Sequence, residues 1–205
     1  MVIINNEMLI DLGQCDYNET LKLQRNMADM RNRGGIKDTV VLVEHPDVYT
    51  EGRHTLKADS IESSIKVERG GSITYHGPGQ LVSYYIVNLR DRSINILDLI
   101  HLIHKATILL LSGYGLVGRS QTGKETGVWI GDKKIASTGL AVKEFTTFHG
   151  SALNVSTDLG KFNSINPCGF NPQIMTSIEN ETGKKIEMPD LKKKFATIIE
   201  EEFFQ

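Results

Sequence analysis

Three stretches of the chain alternate between apolar and polar positions with the period of a helix. Asp16, a good N-cap residue, precedes Glu19 by three positions; Leu23, Met27 and Met30 then recur on one face until Gly34-Gly35 stops the run. Between Ile94 and Leu111 the chain is almost continuously apolar, but Asp98, His101 and Lys105 recur at helical spacing and form one polar stripe. That pattern predicts a buried amphipathic helix from about Asn95 to Ser112, ending at Gly113, and not a membrane span. A closing helix follows Pro189-Asp190, with Leu191, Phe195, Ile198 and Ile199 as its apolar face. Lys192-Lys193-Lys194 sits near its start and Glu200-Glu201-Glu202 near its end, opposite to the dipole preference, so packing must stabilise it.

Strand signals fill the intervals. Val2-Ile3-Ile4 and Met8-Leu9-Ile10 flank Asn5-Asn6-Glu7 as an opening hairpin, and Thr39-Val40-Val41-Leu42-Val43 reads as a buried strand ended by His45-Pro46. Ser72 to Tyr75 and Leu81 to Leu89 read as strands around Gly77-Pro78-Gly79. Trp129-Ile130 and Lys134-Ile135 bracket Gly131-Asp132-Lys133 as a hairpin, which puts Lys134 at the start of a strand. Lys133 and Lys134 then point to opposite faces. The mixed order of elements predicts an α/β (α+β) chain, and 205 residues, 40% hydrophobic and 23% charged, suit one globular domain spanning residues 1–205.

Charge and cysteine content remove several function classes. A formal net charge of −2 supplies no broad basic surplus for nucleic acid. The first residues, Met1-Val2-Ile3-Ile4-Asn5-Asn6-Glu7, lack the basic and apolar regions of a signal peptide, so a cytoplasmic location and no membrane association are expected. The two cysteines, Cys15 and Cys168, lie far apart and outside any C-x-x-C spacing, which argues against a disulfide scaffold. His101 and His104 stand three apart on the central helix, but no cysteine or H-E-x-x-H pattern completes a ligand set, and no metal is expected.

The densest candidate chemistry lies in Arg69-Gly70-Gly71-Ser72-Ile73-Thr74-Tyr75-His76-Gly77-Pro78-Gly79-Gln80. Its glycines let main chain approach a ligand, and Thr74, Tyr75 and His76 add a hydroxyl, a phenol and an imidazole. Read alone, the segment is equally a glycine-rich corner between strands, and its spacing fits neither phosphate-binding glycine motif. Three other blocks accompany it: Val43 to Arg53 (VEHPDVYTEGR), Gly127 to Gly139 (GVWIGDKKIASTG), and Phe148 to Asn154 (FHGSALN) followed by Asn166-Pro167-Cys168-Gly169. In content and order these blocks resemble the lipoyl(octanoyl) transferases of lipoate biosynthesis.

That resemblance implies the biotin/lipoyl protein ligase-like fold, a mostly antiparallel mixed sheet packed with helices. It implies octanoyl transfer from octanoyl-acyl carrier protein to a lysine of apo lipoyl domains, those of 2-oxoacid dehydrogenases and the glycine cleavage H protein, with no cofactor. Cys168 is implied as the acyl-thioester nucleophile and Lys134 as its partner base. Arg69, Gly70, Gly71, Ser72, Ile73, Thr74, Tyr75, His76, Ser137, Thr138, Gly139, Gly150, Ser151 and Ala152 are implied to bind the acyl substrate, with His149 lining the site. The chemistry is coherent, since a thiolate beside a cation can hold an acyl chain between donor and acceptor, and small residues leave room for a linear chain. Thr138 departs from the aliphatic residue common at its position in the family, leaving that local acyl contact open. Two rival functions remain: an ATP-dependent lipoate or biotin protein ligase on the same fold, and a non-catalytic acyl-binding protein.

Overall fold

In a computed structural model, residues 2–4, 9–165 and 174–204 are described. An eight-stranded sheet runs in the order β1 (Val2–Ile4), β2 (Leu9–Gln14), β3 (Thr39–Glu44), β7 (Gln80–Ile86), β11 (Thr146–Asn154), β10 (Lys133–Lys143), β9 (Gly127–Ile130), β8 (Gly118–Gln121). Its pairs are antiparallel except β2 with β3. A second, three-stranded sheet holds β5 (Ile65–Lys66), β4 (Val48–Glu51) and β6 (Ile73–His76). This is the mostly antiparallel mixed architecture that the four sequence blocks implied. The hairpin of β1 with β2 and the strand at 39–44 stand where the apolar runs put them, while residues 5–8 lie outside the described residues.

The period-two alternation of the central strands sorts the core into two layers. Val40 and Leu42 of β3, with Leu81 and Tyr85 of β7, face α2 (Ile96–Ser112) and α4 (Met188–Phe203). Val41 and Val43, with Val82, Tyr84 and Ile86, face α1 (Tyr17–Asn32). The short α3 (Ile178–Thr182) precedes α4. Asp16 caps α1 by accepting from the amides of Asn18 at 2.8 Å and Glu19 at 3.1 Å. The buried face of α1 is Tyr17, Thr20, Leu21, Gln24, Met27 and Ala28. It is rotated from the Leu23-Met27-Met30 stripe, and Met30 is exposed. Of its polar members, Thr20 donates to the Asp16 carbonyl and Gln24 Oε1 accepts from the His149 amide, while Gln24 Nε2 has no hydrogen-bond partner among the described residues.

α2 begins with a reciprocal Asn95–Asp98 capping box, and its Asp98, His101 and Lys105 stripe is exposed as the spacing predicted. In α4 the reversed charges are partly compensated, because Lys192 is buried with its ammonium 2.9 Å from Asp11. Among the described residues no helix is long and apolar enough to cross a membrane.

Candidate active site

A cavity of about 900 Å³ opens where the two sheets meet. Three of the chain segments in its wall are the loop at 69–72 leading into β6, the middle of β10, and the middle of β11. The Gly70 amide donates to the Leu140 carbonyl at 3.0 Å and ties the loop across β10. Register then aligns Ser137 with Ala152, Thr138 with Ser151 and Gly139 with Gly150, so three sequence-distant blocks become neighbours. Glycine is required at 150, where an added Cβ would sit 1.8 Å from the Ser83 carbonyl oxygen of β7.

Arg69 works as a clamp in this wall. Its guanidinium donates to the Thr50 carbonyl and hydroxyl, both at 2.8 Å, and to the carbonyls of Ser72 at 2.7 Å and Gly70 at 3.1 Å. A buried cation thus fixes the curvature of the glycine-rich loop through four acceptors. Thr74 and His76 line the cavity, and strand alternation turns Tyr75 to the other face of β6; Ile73, on the face of Tyr75, reaches the cavity at the start of the strand. There its hydroxyl donates to Asp47 at 2.7 Å and its ring packs edge-on against Phe162. Tyr75 therefore does not line the cavity, unlike the other members of the 69–76 block.

Lys134 is buried and lines the cavity, while Lys133 beside it is exposed. A β-bulge between Lys134 and Ala136 lets Ile135 and Ala136 both enter the core facing α2, which leaves Lys134 on the cavity side. Its ammonium lies 5.8 Å from the Trp129 ring centroid, a cation–π approach. Gly127 makes room for it, since a Cβ there would stand 2.7 Å from Lys134 Cε. The Lys134 carbonyl accepts from the Thr176 amide at 2.9 Å, and Met175, which bridges Lys134, also lines the cavity. The block Asn166-Pro167-Cys168-Gly169 lies outside the described residues; its described flanks, Ile165 and Met175, share one apolar cluster with Ile73 and Phe162.

Two aromatic residues that the sequence did not mark as part of the site, Tyr17 and Tyr84, complete the polar end of the cavity. Tyr17 stacks on His76, with centroids 5.7 Å apart and 14° between planes, and burial pushes its hydroxyl up to about 12. Tyr84 donates to His45 Nε2 at 2.7 Å, and His45 Nδ1 donates to the Cys15 carbonyl at 2.7 Å. His76 donates from Nδ1 to Gln80 Oε1 at 2.7 Å, the amide being oriented by Gln80 Nε2, which donates to Asn154. His149 adopts a left-handed backbone, φ 62°, and its Nε2 lies 3.5 Å from Glu68. Cys15, the other thiol, is half-buried and its sulfur lies 3.9 Å from the Glu19 carboxylate.

Burial keeps the imidazoles here neutral. Desolvation, with Arg69 and His45 nearby, depresses His76 to about 3, and desolvation with Arg69 depresses His149 to about 4. His104 on α2 falls likewise to about 4. The ordinary value is 6.5, so between that pH and 4 the unfolded chain binds more protons than the folded one. Stability from these groups is complete above pH 6.5 and is lost as the pH falls toward the folded values. The thermal midpoint should therefore drop steadily between pH 6.5 and 4 in calorimetry; a flat midpoint over that interval would contradict the burial of these rings.

The description "Lipoyl protein ligase A/B catalytic domain" matches residues 16–200. The chain belongs to this family. It is 47% identical over 188 residues to "Probable octanoyltransferase 2" of Picrophilus torridus, covering 92% of this chain and 76% of that protein. It is 39% identical over 189 residues to the "Octanoyltransferase" of Alkaliphilus metalliredigens, covering 87% of each. The fold is similar to a crystal structure of lipoate-protein ligase A bound with ATP: TM-score 0.78, 16% identity, 98% of this chain and 86% of that one. A biotin protein ligase from Aquifex aeolicus shares the fold at a TM-score of 0.56 and 14% identity, over 97% of this chain and 69% of that one. In this family member the cavity, the buried Lys134 and the glycine-rich clamp loop form one continuous surface.

Proposed function

We propose that this chain is an octanoyltransferase that moves an octanoyl group from octanoyl-acyl carrier protein to a lysine of apo lipoyl domains through a thioester on Cys168. The observation that carries the reading is Lys134, a buried lysine in the wall of a chain-sized cavity, joined by its main chain to the far flank of the Cys168 segment. The octanoyltransferase names of the relatives support the same acyl chemistry. In the first half-reaction the Cys168 thiolate attacks the donor carbonyl, a carbon–sulfur bond forms, and the carrier leaves as its thiol. In the second, the acceptor amine attacks, a carbon–nitrogen bond forms, and Cys168 is released. The Lys134 ammonium favours the thiolate and gives its proton to the departing carrier sulfur; the neutral amine so formed takes a proton from the attacking acceptor amine, which restores the Cys168 thiolate beside the Lys134 ammonium.

Exchange of a thioester for an amide is downhill and needs no nucleotide. Transfer to an apo lipoyl domain in nucleotide-free buffer is the expected result; transfer that requires ATP and free octanoate would replace this reading with the ligase one.

The cavity should also select chain length. Shortening octanoyl to butanoyl removes four buried carbons, about 3 kcal/mol at about 0.8 kcal/mol each. Competition between the two carrier thioesters should favour octanoyl on the order of a hundredfold in kcat/KM. Indifference to length would mean that the chain lies elsewhere.

A further inference from the structure

His104 is fully buried on α2, and the acyl-transfer chemistry gives it no part. Its Nδ1 lies 2.6 Å from the Ser120 hydroxyl and its Nε2 lies 3.1 Å from the Thr138 hydroxyl. Thr138 donates to Ser151 Oγ at 3.0 Å, and Ser151 donates to the Ser137 carbonyl at 3.3 Å. The direction of these bonds follows from counting protons. Because Thr138 gives its hydrogen to Ser151, its oxygen must accept from His104 Nε2–H, and a neutral ring then leaves Nδ1 to accept from Ser120. Burial keeps that ring neutral, down to about 4.

The chain of bonds ends at the cavity. Thr138 and Ser151 both line it, and the last bond is the longest, so the Ser151 hydrogen is the most readily redirected. A wall that held only methylenes would have no use for an oriented donor, and burying the His104 ring and the Ser151 hydroxyl beside it is costly unless each is bonded. With an all-carbon chain the Ser151 hydrogen stays on the Ser137 carbonyl. An oxygen on the chain at that level can accept it instead.

We propose that His104 is a positioning residue that aims the Ser151 hydroxyl at a hydrogen-bond acceptor on the bound acyl chain, so that the cavity accepts hydroxylated or oxo acyl groups alongside octanoyl. The inference rests on reading the cavity as the acyl site. Titration calorimetry with octanoate, and with octanoates each carrying one hydroxyl at successive carbons, tests it. At least one hydroxylated chain should bind the unaltered protein within about threefold of octanoate. Its affinity relative to octanoate should fall about tenfold in Ser151→Ala and in His104→Phe, because the ligand hydroxyl then lacks its aligned partner. His104→Gln can still present an N–H to Thr138 and should restore the ratio; Thr138→Val breaks the same link from β10 should His104→Phe fail to fold. An unchanged ratio in these variants, or no hydroxylated chain within tenfold of octanoate, would overturn the proposal. No octanoate binding at all would instead overturn the acyl-site reading beneath it.

Discussion

Cys168→Ala is expected to abolish both acylation of the protein and transfer to the acceptor, while Cys15→Ser keeps most activity. The acyl group must rest on a nucleophile while one macromolecular partner leaves and the other arrives, and alanine offers no atom to hold it. Cys15 cannot substitute, because its sulfur faces the Glu19 carboxylate and lies outside the cavity wall. Its carbonyl, which accepts from His45, is unaltered by the serine substitution. Steady-state transfer assays, with circular dichroism to check folding, separate the outcomes. Equal loss in both variants, or activity surviving in Cys168→Ala, would remove the nucleophile assignment.

Lys134→Met should slow each half-reaction about a thousandfold, within the range for a positioned acid–base group. Methionine keeps the length and fills the space beside Trp129 and Gly127, so the loss reports the missing amine and not a cavity. Lys133→Met, which alters an exposed side chain one residue away, should change the rates less than twofold. Single-turnover measurements of acylation and deacylation would resolve the two steps. A larger effect at Lys133 would mean that the wrong face of β10 bears the chemistry.

How much of this was legible in the sequence follows from where periodicity is informative. α2 was readable end to end because one face is wet, and its exposed Asp98, His101 and Lys105 stripe marks the period. β11 was not read as a strand at all: its wholly buried TTFHGSALN mixes small and polar residues, so it shows neither alternation nor the apolar run that marks β3. Lys134 was placed on its strand by the Gly131-Asp132-Lys133 turn, yet the bulge that keeps it in the cavity has no local sequence mark. Tyr75 was grouped with Thr74 and His76 by adjacency, although a period of two separates it from both. Tyr17 and Tyr84 escaped notice because a tyrosine in a buried face looks like core until another segment brings a histidine against it. His104 was weighed only with His101, three residues away; its actual partners lie 16 and 34 positions along the chain.

Pairing in the sheet therefore creates the site from blocks that the sequence shows singly. Arg69 binds the loop to β4, the Gly70 amide binds it to β10, and β10 with β11 brings Ser137 to Gly139 alongside Gly150 to Ala152. The proposed chemistry then depends on one thiol and one amine reaching a common carbonyl.

Intact-protein mass spectrometry after mixing the protein with octanoyl-acyl carrier protein, without ATP, tests that claim most directly. The account predicts a gain of one octanoyl group that maps to Cys168 and disappears when an apo lipoyl domain is added, with the acyl group recovered on the acceptor lysine. No adduct under these conditions, or an adduct that persists in Cys168→Ala, would contradict it.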